Sequence, residues 1–168
     1  MKMNKNLALI GMPAVGKSTV GVLLAKKLGF AFQDTDILIQ TREGMTLEQI
    51  IEARGLETFL DIEAGHVRSL NCESHVIATG GSVIYRDAAM AHLARMATIV
   101  YLSVDLPVLL TRLSDLKSRG VAIDPGRGVD DLYRERTPLY EKYCHVKIPC
   151  KAMSPAEVVR VVSESLGI

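Results

Sequence analysis

The sequence predicts one α/β domain built on a parallel sheet of about five strands with helices on both faces. Three observations carry that reading. Short apolar runs alternate with helix-period segments from end to end, with no repeat and no low-complexity linker between them. The chain has 168 residues, enough for one substantial core and too few for two domains of ordinary size. The first apolar run, Leu7–Ile10, passes at once into a glycine-flanked turn and then into a helix-period segment, the order of a strand, a phosphate-cradling loop and a helix.

That turn reads Gly11-Met-Pro-Ala-Val-Gly16-Lys17-Ser18, a gapless P-loop pattern. Glycine at both ends is expected to let backbone N–H groups close on phosphate oxygens without an intervening Cβ. Lys17 is expected to reach the β- and γ-phosphates and Ser18 to ligate Mg²⁺, while the helix that starts near Lys17 points its positive end at the polyphosphate. A glycine turn with a solvated lysine is the plain alternative, and the strand-to-helix context disfavours it.

Net charge is +1, which gives no electrostatic case for nucleic acid or an anionic membrane surface. Cys72, Cys144 and Cys150 form no metal-like spacing and the four histidines are scattered, so reduced thiols and no structural zinc are expected. Met1–Asn6 is short and basic and leaves no room for the apolar core of a signal peptide; no apolar run approaches membrane-spanning length. The expectation is a cytoplasmic, monomeric protein acting on a small molecule.

After the P-loop, a helix is expected to turn Val20, Val22, Leu23, Leu24 and Leu28 inward and to end at Gly29. A strand around Ala31–Gln33 then ends in Asp34-Thr-Asp36, two carboxylates that point the same way if strand geometry persists. Strand C-terminal ends are where open α/β sheets bind ligands, so a metal or substrate role competes there with a simple N-cap before residues 37–42. Thr46-Leu-Glu-Gln49 has capping-box form and opens a short helix closed near Gly55. A second helix carries Phe59, Ile62, Val67 and Leu70 as its apolar residues. His75–Ala78 is a strand ending in Thr79-Gly80-Gly81-Ser82, where glycine suggests backbone close to a ligand. Residues 87–95 are helical, 98–102 form a buried strand, and Asp105 caps a helix with Pro107 in its first turn. From Lys117 to Asp130 glycines break the periodicity among basic residues, the composition of a lid over a triphosphate or of a solvated loop. Residues 129–142 are helical with an interruption at Pro138, and a strand at 145–148 leads to a capping box, Ser154-Pro-Ala-Glu157, and a closing helix.

Gly11–Ser18, Asp34-Thr-Asp36, Phe59 with Ile62-Glu63, Ala78-Thr-Gly-Gly81 and Arg136-Thr-Pro-Leu-Tyr140 together resemble the shikimate kinase family in order and spacing, over nearly the whole chain. The resemblance implies the three-layer P-loop NTPase fold with strand order 2-3-1-4-5, residues 117–130 as a lid, and residues 37–70 as substrate-binding helices. It implies ATP and Mg²⁺ as cofactors, and shikimate to shikimate 3-phosphate as the leading reaction. Residue by residue, it implies that Gly11, Ala14, Val15, Gly16, Lys17, Ser18 and Thr19 hold the triphosphate and that Arg112 lies over adenine. Ser18 and Asp34 serve the metal, Asp36 orients or deprotonates the attacking hydroxyl, and Arg119 closes on the phosphoryl group. Leu60, Gly80, Gly81, Ser82 and Arg136 line the acceptor pocket, with Arg136 on a substrate carboxylate.

Two departures stand out. Leu60 occupies the position where the family has an arginine that helps clamp that carboxylate, a loss of roughly 1.5–3 kcal/mol if nothing replaces it. Ser82 stands where a third glycine is usual and adds a hydroxyl at the pocket wall. The lid Arg-Pro dipeptide also reads Arg119-Gly120. These differences raise an alternative with phosphoryl transfer intact and the acceptor re-specified to another small polyol or hydroxy acid, and a more distant one, a non-catalytic nucleotide-binding regulator.

Overall fold

A computed structural model describes residues 6–116, 128–151 and 153–168. Five strands, β1 (Asn6–Ile10), β2 (Ala31–Asp34), β3 (His75–Ala78), β4 (Ala97–Ser103) and β5 (Val146–Pro149), form one sheet in the order 2-3-1-4-5. Every pairing is parallel, with Leu9 beside Ala78 on one side and Val100 on the other. The helices are α1 (Lys17–Leu28), α2 (Thr35–Glu43), α3 (Leu47–Arg54), α4 (Leu56–Arg68), α5 (Asp87–Met96), α6 (Leu106–Leu116), α7 (Val129–Tyr143) and α8 (Pro155–Leu166). They cover both faces of the sheet, which is why β1, bounded by a strand on each edge, is a continuous apolar run rather than an alternating one.

Both capping boxes form: Thr46 and Gln49 open α3, and Ser154 and Glu157 open α8 behind Pro155. The one polar residue of β1, Asn6, is buried but fully engaged. Its Nδ2 donates to Cys72 O (2.7 Å) and Met96 O (2.9 Å), and its Oδ1 accepts from His75 N (2.9 Å), so the sheet's central strand starts without an orphaned group.

Several expectations on packing are corrected. Val22 and Leu23 face outward, at 49% and 37% exposure, and Val20, Gly21, Leu24 and Ala25 form the inner stripe instead. The 3.6-residue period puts 20, 21, 24 and 25 on one side, and two further apolar residues cannot join that face. The helix α7 runs through Pro138 without ending there. One missing N–H does not outweigh the burial of Tyr140, whose ring stacks on Tyr101 at 5.1 Å between centroids. The strand at Asp34 does not persist either; Thr35 already begins α2.

The apolar interior has two parts. The larger spans the sheet with α1, α5 and α8; the smaller, Ile39, Ile50, Phe59 and Leu60, is shared by α2, α3 and α4. Gly21 is where the larger one is tightest, since a Cβ there would stand 2.5 Å from Phe32 Cε2 on β2. Gly21→Val should therefore lower stability by about 1–3 kcal/mol despite its better helix propensity, read as a lower urea midpoint at unchanged slope.

Candidate active site

The loop between β1 and α1 takes its shape from backbone conformations that most side chains resist. Gly11 has φ +145°, and a Cβ on it would stand 2.6 Å from Leu102 O on β4. The neighbouring strand by itself thus requires glycine at this end of the loop. Ala14 (φ +65°) and Gly16 (φ +100°) are also left-handed, and they curl the chain so that successive N–H groups line a concave turn. No side chain caps α1, so its first-turn N–H groups face the same hollow.

Lys17 is buried and folds its Nζ over the loop, donating to Gly11 O (2.8 Å) and Met12 O (2.9 Å). Burial pulls its pKa down to about 8, with Asp36 opposing the shift and Arg136 adding to it. Ser18 Oγ donates to Asp34 Oδ2 (2.6 Å), while Asp34 Oδ1 accepts from the N–H groups of Asp36 (2.9 Å) and Ile37 (3.3 Å). Asp34 is therefore both the N-cap of α2 and a neighbour of the P-loop serine.

Asp36, in the first turn of α2, faces Lys17 and Gly80. Burial raises its carboxyl pKa above the ordinary range, Lys17 pulls against that, and Asp34 adds to it. Beside it lies a group to which the sequence assigned no role, Glu63 of α4, only 1% exposed. Burial pushes its pKa up to about 7, a hydrogen bond from Ser82 Oγ to Oε2 (2.7 Å) works against this, and Asp36 reinforces it. Asp36 Oδ1 and Glu63 Oε1 are both buried without a hydrogen-bond partner among the described residues.

The turn after β3 separates these carboxyls from a cation. A Cβ on Gly80 would overlap Glu63 Oε1 and stand 2.8 Å from Asp36 Oδ1; one on Gly81 would stand 3.0 Å from Arg136 Nη1 and 3.0 Å from Pro13 Cδ of the P-loop. The turn is pinned on every side. Thr79 bonds to Leu9 O through both its N–H (3.2 Å) and its hydroxyl (3.0 Å), Gly80 N donates to Thr35 Oγ1 (3.2 Å), and Tyr140 Oη donates to Gly81 O (2.6 Å). The pairing of β1 with β3 is what brings P-loop and turn side by side.

On the other side of the P-loop is a cavity of about 240 Å³ lined by Ala14, Val15, Gly16, Thr19, Arg112 and Cys150, among others. Arg112 is held at its wall by donating to Val15 O (3.1 Å) and Lys151 O (3.4 Å). Leu60 is buried in the smaller apolar cluster, against which Tyr85 also packs. Ser82 uses its donor on Glu63. Arg119 and most of the 117–130 segment lie outside the described residues.

The sequence matches the family model described as shikimate kinase over residues 13–167. The shikimate kinase of Thermodesulfovibrio yellowstonii is 36% identical over 163 residues, which cover 94% of this chain and 92% of that protein. The chain belongs to the shikimate kinase family. Two solved structures agree: shikimate kinase from Acinetobacter baumannii in complex with shikimate (TM-score 0.87, 28% identity, 99% of this chain and 94% of the other) and shikimate kinase from Aquifex aeolicus (TM-score 0.82, 33% identity, 96% of each). Membership makes the chain an ATP-using kinase, and no helix among the described residues is long and apolar enough to cross a membrane.

Within this shikimate kinase fold, sequence reasoning missed the parts that meet only in three dimensions. Glu63 was visible inside the motif that carries the resemblance, but its burial was not. Thr35 and Tyr140, which fix the glycine turn, stand inside motifs but without an assigned role, and Tyr85, which holds Arg136, lies in no motif.

Glu63 has a checkable consequence. Its pKa in the folded protein, about 7, lies above the ordinary 4.5, so between those values the unfolded chain gives up its proton first and stability falls as pH rises. Glu63→Gln removes the ionisable group and should gain up to about 3 kcal/mol relative to the parent at pH 8, and much less at pH 5. Urea unfolding at the two pH values measures this, and an equal difference at both would mean that Glu63 is not a buried, titrating acid.

Proposed function

We propose that this chain transfers the γ-phosphoryl group of MgATP to a hydroxyl of shikimate. The observation that carries the reading is the convergence of Lys17, Asp36 and Arg136 around the Gly80–Gly81 turn, next to the P-loop. Relatives at 36% identity that carry the name shikimate kinase favour this acceptor over another polyol or hydroxy acid.

The geometry supports roles for the described residues, and the family resemblance supplies those of Arg119 and of Asp34 at the metal. Lys17 exchanges its two backbone carbonyl acceptors for phosphate oxygens, which are charged and therefore stronger partners. The loop N–H groups from Ala14 to Thr19 cradle the polyphosphate, and the cavity beside Arg112 receives the adenine. Asp36 accepts from the acceptor hydroxyl through its unpartnered Oδ1 and aligns it for in-line attack. Arg136 pairs with the acceptor carboxylate, and Arg119 serves as the lid cation. The hard oxygen donors Ser18 Oγ and Asp34 Oδ2, 2.6 Å apart at the start of α1, suit Mg²⁺, with Asp34 acting through water. When bound, the ion neutralises charge on the phosphate oxygens.

An ADP-release assay with shikimate tests the reading, and absence of turnover would overturn it. Lys17→Ala should lower turnover by at least about a hundredfold. Asp36→Asn should keep nucleotide affinity and lose most turnover, roughly a hundredfold, because the amide cannot take the proton; an active Asn variant would remove Asp36 from its role.

A further inference from the structure

Leu60 on α4 is buried in the smaller apolar cluster and supplies no cation to the acceptor, and three arginines around that cluster are tied elsewhere. Arg42 bonds His66 and Ser69, Arg54 pairs with Glu43, and Arg86 pairs with Glu57 and Asp61. Among the described residues, Arg136 is the guanidinium that reaches the Gly80–Gly81 turn. A single flexible arginine is a weak clamp, because ordering a long side chain costs free energy each time a ligand binds.

Arg136 is not free to wander. Its Nε donates to Tyr85 Oη (3.0 Å), and its guanidinium carbon lies 5.2 Å from the centre of the Tyr85 ring. Tyr85 stands in the short 3-10 turn Val83–Tyr85 directly after Ser82, and its ring packs on the apolar cluster that contains Leu60. Its own hydroxyl proton has Glu135 as an acceptor, so the phenol oxygen turns a lone pair to Arg136. With Nε occupied, the guanidinium can meet a carboxylate only through its Nη1–Nη2 edge, and Nη1 already lies against Gly81.

We infer that Tyr85 is the specificity-determining positioning residue of the acceptor site: supported by the Leu60 cluster, it pre-sets Arg136 so that one guanidinium suffices for an acceptor carboxylate. Leucine at position 60 belongs to the apolar cluster against which Tyr85 packs. This rests on shikimate being the acceptor, and the test separates the two ideas.

Steady-state kinetics on the full chain with shikimate and with its methyl ester, as substrate or competitive inhibitor, provide the readout. Tyr85→Phe keeps the ring and loses only the oxygen that holds Nε. It should raise KM for shikimate about tenfold, with kcat and the KM for ATP within about twofold of the parent. The ester, which presents no anion to Arg136, should show the same KM or Ki in both proteins. An unchanged KM for shikimate in Tyr85→Phe would overturn the inference, as would an equal loss for acid and ester, the mark of a general loosening. If the parent enzyme does not phosphorylate shikimate at all, the proposed function fails, and this inference with it.

Discussion

Four charged side chains share one desolvated space at the mouth of the P-loop, and the rest of the site is arranged to make that tolerable. Lys17 and Arg136 supply two positive charges and Asp36 and Glu63 two potential negative ones, and Lys17 and Glu63 each feel the other three. Burial disfavours all of these charges, and only their opposition keeps them in place. This is why position 80 has no side chain: carboxyl oxygens from two helices fill the space a Cβ would take. It is also why Lys17 and the two acids carry shifted pKa values, as groups poised for phosphoryl and proton transfer commonly do. The strand order matters here because it sets β3 against β1, and without that adjacency the acids on α2 and α4 would not face the lysine.

What was legible from residues alone was whatever depends on local pattern. The P-loop, the two capping boxes, the αL glycine after α1 and the buried parallel strands follow from spacing and chemistry over a few neighbours. The strand order, and the convergence of Asp36 and Arg136 on the Gly80–Gly81 turn from positions a hundred residues apart, came only through the family resemblance. The errors share a cause. Val22 and Leu23 were assigned inward because they are apolar, yet a helix has only one inner stripe. Pro138 was expected to interrupt α7, but the tertiary anchor at Tyr140 outweighs a local defect. Ser82 looked like a free hydroxyl on the pocket wall, and its partner lies 19 residues back on another helix.

The smaller apolar cluster changes how the Leu60 departure reads. Taken alone, replacing a clamp arginine by leucine looks like a lost contact. In place, the leucine joins Ile39, Ile50 and Phe59 to bind α2, α3 and α4 into a unit with its own interior. That unit meets the segment after β3 through Thr35 Oγ1 at Gly80 and through Tyr85. Position 60 thus serves the packing of these three helices, and a substitution there acts on that interior first.

The aromatic residues of this chain are distributed in a way that has an optical consequence. There is no tryptophan, and all five tyrosines, Tyr85, Tyr101, Tyr133, Tyr140 and Tyr143, belong to the 3-10 turn, β4 or α7. Tyr85 and Tyr140 touch Arg136 and Gly81 directly, and Tyr101 stacks on Tyr140. Three of the five tyrosines therefore emit from the neighbourhood of the Gly80–Gly81 turn, and no tyrosine is among the residues lining the cavity beside Arg112. Tyrosine emission is thus a label-free report on the surroundings of the Gly80–Gly81 turn and of α7.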